Sequence, residues 1–271
     1  MDLGLKGRVY IVTGATRGLG NATARELLAD GAKVVITGRD ERRVAEAADE
    51  LGAGAVGVVA DNADPAAPDR LVGAAYEHFG ALHGLLISVG GPAPGPAAGA
   101  TDEQWTSAFE SVFLGAVRLA RTAAARLGAG DAGAGRGSGA QGDGGTGEAD
   151  AVIGFVLSGS VHEPIPGLAI SNGLRPGLAG FAKTLASELG PRGIRVLGLL
   201  PGRIDTDRVR ELDALAADPA AARAASGARI PLRRYGTPQE FGRTAAFLLS
   251  PAASYLTGIM LPVDGGARHG F

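Results

Sequence analysis

The stretch that most limits what this chain can fold into is Thr13-Gly14-Ala15-Thr16-Arg17-Gly18-Leu19-Gly20. An apolar run, Val9-Tyr10-Ile11-Val12, precedes it. A helix-like segment from Asn21 to Asp30, with apolar positions at Ala24, Leu27 and Leu28, follows. Strand, glycine turn and helix in that order form the context of a phosphate cradle. Gly14 permits the tight turn, Gly18 lets the backbone approach a pyrophosphate, and Gly20 lets helix and strand pack closely. The helix start offers unpaired N–H groups and a positive dipole end to the phosphates. An ordinary glycine turn between strand and helix is the alternative reading.

Downstream, strand and helix signals alternate, which predicts βαβ units and a doubly wound parallel sheet of about seven strands with helices on both faces. The strands expected are 8–13, 33–37, 55–60, 85–88, 152–157, 195–200 and 257–263. Thr101 with Gln104, and Thr237 with Pro238 and Glu240, are helix-start signatures. From Thr101 the spacing predicts one continuous helix carrying Trp105, Phe109, Val112 and Phe113 on a buried stripe. A further helix is expected from Leu174 to Leu189, after a loop from Ser158 to Ile170. Residues 128–150 are nearly half glycine in appearance and read as a flexible surface insertion. The segment 205–233 reads as short helices covering a cleft. One domain over residues 1–271 is the expected organisation.

Composition excludes several functions. With no cysteine among 271 residues, thiolate catalysis, disulfides and cysteine metal sites are ruled out. His78, His83, His162 and His269 lack metal-ligand spacing, so no metal site is expected. A net charge of -2 gives no reason to expect nucleic acid or an acidic membrane as partner. No apolar run is long enough to span a bilayer and no signal pattern opens the chain, so a soluble cytoplasmic protein is expected.

Several motifs then occur in a telling order. The glycine loop has the pattern TGxxxGxG; Asp61 follows the third strand; Ile87-Ser88-Val89-Gly90 follows the fourth. Pro201-Gly202-Arg203-Ile204-Asp205-Thr206 follows the sixth, and Tyr255-Leu256-Thr257-Gly258 and Val263-Asp264-Gly265-Gly266 close the chain. In this order the sequence resembles the short-chain dehydrogenase/reductase family over essentially its whole length. The resemblance implies a Rossmann-type fold binding a nicotinamide dinucleotide. It implies cofactor contacts at Gly14, Thr16, Arg17, Gly18, Leu19 and Gly20, at Arg39, Asp61, Asn62 and Gly90, and at Pro201, Gly202, Ile204 and Thr206. It also implies a homodimer or homotetramer formed through the helices of Trp105 and Leu174.

A ribose 2′-hydroxyl is held by an acid at the end of the second strand, whereas a 2′-phosphate needs cations there. That strand ends in Gly38-Arg39, and Arg17 lies inside the loop. Two guanidiniums suit a phosphate, so NADP(H) is the expected cofactor. Asp40 serving a ribose is the alternative.

The resemblance departs where the family carries its chemistry. The Tyr-x-x-x-Lys positions correspond to Ser171 and Arg175, and the Asn position to Val112; Ser158 stands at the Ser position, with Ser160 close by. A serine hydroxyl is a far weaker acid than a phenol of pKa about 10, and arginine does not release a proton near neutrality. Losing a general acid costs about 10²–10⁴ in rate. The candidate catalytic set is Ser158, Ser171 and Arg175, with His162 as a nearby titratable side chain. Asn172 is expected to cap its helix or to meet a substrate. Two functions fit: an NADPH-dependent oxidoreductase acting on a carbonyl or activated double bond of a small organic molecule, and an NADP(H)-binding protein without redox turnover (a sensor, partner subunit, cyclase or isomerase).

Overall fold

The computed structural model describes residues 1–127 and 151–269; the expected insertion at 128–150 lies outside the described residues. Seven strands form one parallel sheet: β1 (Val9–Val12), β2 (Lys33–Gly38), β3 (Ala55–Val59), β4 (Gly84–Ile87), β5 (Ala151–Val156), β6 (Ile194–Pro201) and β7 (Met260–Val263). Their order is β3-β2-β1-β4-β5-β6-β7. The winding direction reverses between β1 and β4, and in open sheets of this kind ligands bind beyond the carboxyl ends of the strands at that point.

The helices are α1 (Gly18–Ala29), α2 (Glu41–Leu51), α3 (Ala67–Phe79), α4 (Asp102–Ala108), α5 (Gly115–Arg126), α6 (Ala169–Leu189), α7 (Asp207–Asp213), α8 (Pro219–Arg229) and α9 (Pro238–Leu249). The strand period of two sends alternate side chains to opposite faces. Val9 and Ile11 of β1 therefore pack with Leu71 of α3, Leu119 of α5 and Leu178 of α6. Tyr10 and Val12 pack with Leu27 of α1 and Phe241 of α9. Both faces are covered, which explains why the central strands read as unbroken apolar runs. No described helix is long and apolar enough to cross a membrane.

Two expectations are corrected. The helix begun at Thr101, whose capping box with Gln104 is present, is not continuous. It is α-helical to Ala108, passes through a π-helical segment from Phe109 to Leu114, and resumes as α5. Inside that segment Phe109 and Phe113 stack with ring centroids 5.2 Å apart, and Phe109 is exposed instead of joining the buried stripe. The second correction is to α6, which starts at Ala169 and not at Leu174. Its N-cap is Leu168, which makes no side-chain cap bond. Instead the Asn172 amide accepts from Ile165 N at 3.0 Å and donates to Ile165 O at 2.8 Å. Asn172 thus pins the preceding loop and neither caps the helix nor stands free for a substrate.

Candidate functional site

Four loops meet at the carboxyl edge of β1, β2, β3 and β4. In the first, Thr13 Oγ1 donates to Ser88 O at 2.8 Å and accepts from Ser88 N at 2.9 Å, tying the glycine loop to the end of β4. Gly14 has φ 57°, and a Cβ there would lie 2.5 Å from Ser88 O. A Cβ on Gly20 would lie 2.6 Å from Gly14 O. These two glycines are closed in by backbone. Gly18, at φ 63°, faces open space, with only Thr206 Cγ2 within reach of a Cβ, at 3.9 Å. Gly90, at the end of the β4 loop, has nothing within 4 Å of a Cβ. The loop is therefore closed by backbone beneath and open above, the shape that backbone contact with a pyrophosphate needs.

The other members of this half are arranged around that space. Thr16 packs on Gly38, where a Cβ would sit 2.6 Å from Thr16 Cγ2. Leu19 is half-buried against the core. Asp61 Oδ1 accepts from Ala63 N at 2.9 Å, and Asn62 is pressed through its carbonyl against Gly115 of α5. Arg39 is exposed and has no partner among the described residues. Asp40 caps α2 by accepting from Arg43 N at 2.9 Å. Arg17 reaches across to α7, pairing with Asp207 at 3.2 Å and Glu211 at 3.8 Å. After β6, Pro201 and Gly202 are half-buried, and Ile204 is buried, its amide bonded to Gly202 O and its carbonyl to Thr206 N. Thr206 caps α7 through Val209 N.

The second half lies at the ends of β5 and α6. Ser158 Oγ accepts from Ser160 N at 3.1 Å, fixing the tight turn that follows β5. Ser171 is buried on the first turn of α6. One turn on, Arg175 is buried and forks between two strand ends, with Nη1 donating to Val156 O at 2.7 Å and Nη2 to Val89 O at 3.1 Å. Burial pushes its pKa down to about 10, so it stays cationic at neutral pH. His162 is exposed and its ring makes no hydrogen bond to a described residue. Val112 is buried with Ala108, Ile170 and Leu174. Among the described residues no cluster of His, Asp and Glu could hold a metal ion.

One functional-site neighbour escaped sequence reasoning. The Arg268 guanidinium, from the tail after β7, lies on Gly159, where a Cβ would be 3.1 Å from Cζ and closer still to Nη2. Gly159 does not have a positive φ. A glycine that the backbone conformation does not require is explained by close approach of another group; here that group comes from the far end of the chain, so no local sequence pattern announces it.

The geometry is a glycine cradle open at the switch point, with a serine turn and a buried cation beside it. Residues 8–136 match the short chain dehydrogenase family model, and residues 149–268 match the model described as enoyl-(acyl carrier protein) reductase. The chain belongs to the short-chain dehydrogenase/reductase family. It is an oxidoreductase of that type. The 3-oxoacyl-[acyl-carrier-protein] reductase FabG of Escherichia coli is 31% identical over 264 residues, covering 97% of this chain and 98% of the relative. L-sorbose reductase from Gluconobacter frateurii, solved with NADPH and L-sorbose, superposes with a TM-score of 0.86 at 29% identity over 100% of both chains. The 3-ketoacyl-(acyl-carrier-protein) reductase of Brucella melitensis, solved with NADH, gives a TM-score of 0.82 at 30% identity over 97% of this chain and 99% of its own. Relatives of this short-chain type thus carry either nicotinamide dinucleotide, and membership alone does not select one.

Proposed function

We propose that this short-chain dehydrogenase/reductase is an NADPH-dependent reductase of a carbonyl or activated double bond, with an atypical active site. The observation that carries the reading is the Arg175 fork. It joins the β4 loop of the cofactor cradle to the β5 strand end that bears Ser158, so cradle and serine turn share one support. Bound NADPH would supply the hydride; Gly14, Thr16, Gly18, Leu19 and Gly20 would hold its pyrophosphate, Asp61 and Asn62 its adenine side, and Gly90, Pro201, Gly202, Ile204 and Thr206 its nicotinamide side. Arg39 lacks a partner and Asp40 is committed to a cap, which favours a 2′-phosphate over a ribose hydroxyl at the end of β2.

Ser158 and Ser171 hydroxyls clamp the developing oxyanion. Arg175 holds their loops and contributes a fixed positive field from beneath. The proton comes from water at the turn, where His162 is the titratable neighbour. The segment 205–233 covers the substrate. The competing reading, a bound dinucleotide that is never consumed, is favoured by one observation: Arg175 is committed to main-chain carbonyls. The test is NADPH consumption across ketones, aldehydes and conjugated enones, read against cofactor affinity. Stoichiometric NADPH loss with product formation is expected. Tight NADPH binding with no turnover on any of these would leave the non-redox reading.

A further inference from the structure

Arg268 lies four residues beyond Asp264, whose Oδ2 accepts from Arg268 N at 3.2 Å and stands 3.9 Å from Nε. The acid fixes the base of the side chain and offsets only its inner nitrogen. The side chain is 16% exposed, yet neither terminal nitrogen has a hydrogen-bonded partner among the described residues. A guanidinium mostly enclosed by protein, with its fork unfilled and still reachable, is placed to take a planar anion.

Its neighbours at this edge are committed elsewhere. Arg175 serves Val156 O and Val89 O, Arg203 pairs with Asp213, Arg208 donates to Pro92 O, and Arg223 pairs with Asp205. Arg268 is the arginine of this group whose fork stays open. It lies on Gly159, directly after Ser158 in the chain, and consecutive Cα atoms are about 3.8 Å apart.

We infer that Arg268 is a specificity-determining residue that binds the carboxylate of a small acid substrate beside Ser158, with Gly159 left without a side chain to admit it. The planar fork matches a carboxylate through two parallel bonds. Gly159 follows Ser158 directly in the chain, so an acid held at the fork and reduced beside Ser158 is a small one: the substrate class is a short oxo acid or unsaturated acid. For an oxo acid the carbonyl carbon receives hydride from NADPH, the C=O π bond breaks, and the oxygen takes a proton from water. The products are the hydroxy acid and NADP⁺. This assignment rests on the reductase reading.

The test compares wild type with R268Q, R268K and G159A. The G159A variant keeps the cation but pushes its guanidinium off the turn. Pyruvate and 2-oxobutyrate are assayed beside their methyl esters, and oxamate binding to the NADPH complex is followed by cofactor fluorescence. In R268Q and G159A, KM for the acids and Kd for oxamate should rise about 10- to 100-fold, the worth of a charge-assisted bond. R268K should fall between, and the esters should not respond. Equal effects on acids and esters, no oxamate binding by wild type, or dissociation of an R268Q oligomer on size exclusion would each overturn the assignment. Arg268-dependent oxamate binding without any turnover would uphold the site and sink the reductase reading instead.

Discussion

The two halves of the carboxyl edge are built from different materials. The half around the glycine loop is made of main chain: Gly14 against Ser88 O, Gly20 against Gly14 O, and Thr13 bonded to Ser88 both ways. The half at the ends of β5 and α6 is made of side chains: Ser158, Ser171 and Arg175, with Arg268 entering from the tail. A cradle of backbone is preserved by keeping glycines where no Cβ fits. A side-chain constellation changes its chemistry by single replacements while the fold beneath it stands. Binding and turnover can therefore diverge within one sheet.

The sharpest way to break this contrast is to rebuild the second half. Introducing S171Y with R175K should raise the rate of NADPH-dependent reduction by about 10²–10⁴, the usual worth of a positioned general acid. Steady-state assays on the best ketone substrate check it, and an unchanged rate would show that Ser171 does not face the reacting oxygen. Next in size is damage to the first half. G14A adds about 1–3 kcal/mol of left-handed backbone strain to a clash on Ser88 O, and should lower the melting temperature and abolish NADPH binding. G90A meets nothing within 4 Å and should melt like wild type. If both glycine variants behave alike, the cradle is not held by backbone contact.

A smaller effect separates the cofactors. Replacing Arg39 with Ala should weaken NADPH about 10-fold or more while leaving NADH nearly unchanged, as expected for a lost charge-assisted bond to phosphate; fluorescence titration of both dinucleotides reads this directly. The smallest effect lies at the start of α9. The Arg234 guanidinium, with the Thr237 amide, holds the Glu240 carboxyl down from 4.5 to about 2. A carboxylate depressed in the folded state stabilises above its ordinary pKa and loses that contribution as pH falls toward the folded value. The melting-temperature deficit of E240Q should thus be constant above pH about 5 and shrink below it.

The parallel sheet and the strand, glycine turn and helix that open it were legible because local signals and tertiary role agree there. The capping boxes at Thr101 and Thr237 are written within four residues of chain. What escaped is what distant parts decide. The early start of α6 depends on Asn172 reaching back to Ile165, a bond that replaces the usual cap. The π-helical segment from Phe109 to Leu114 leaves the apolar stripe intact in the sequence while shifting its phase. Its ring Phe113 and the α4 residue Trp105 lie on Gly177 and Gly173 of α6. Both glycines sit in the interior of a helix, where propensity disfavours them, and only the packing explains them.

The bridge from Arg17 to Asp207 and Glu211 has a kinetic consequence. All three side chains are about half exposed, so each contact is worth about 0–1 kcal/mol and fades with salt. Arg208, donating to Pro92 O, ties the same helix to the β4 loop, while the buried Asp213 at its far end accepts from Arg203 at 3.0 Å and from Tyr235 at 3.2 Å. The end of α7 nearest the glycine loop is therefore held by exposed contacts that added salt weakens, while its far end is anchored on a buried carboxylate. Exchange of whatever occupies the cradle should therefore speed up with added salt, making α7 a clock on residence time.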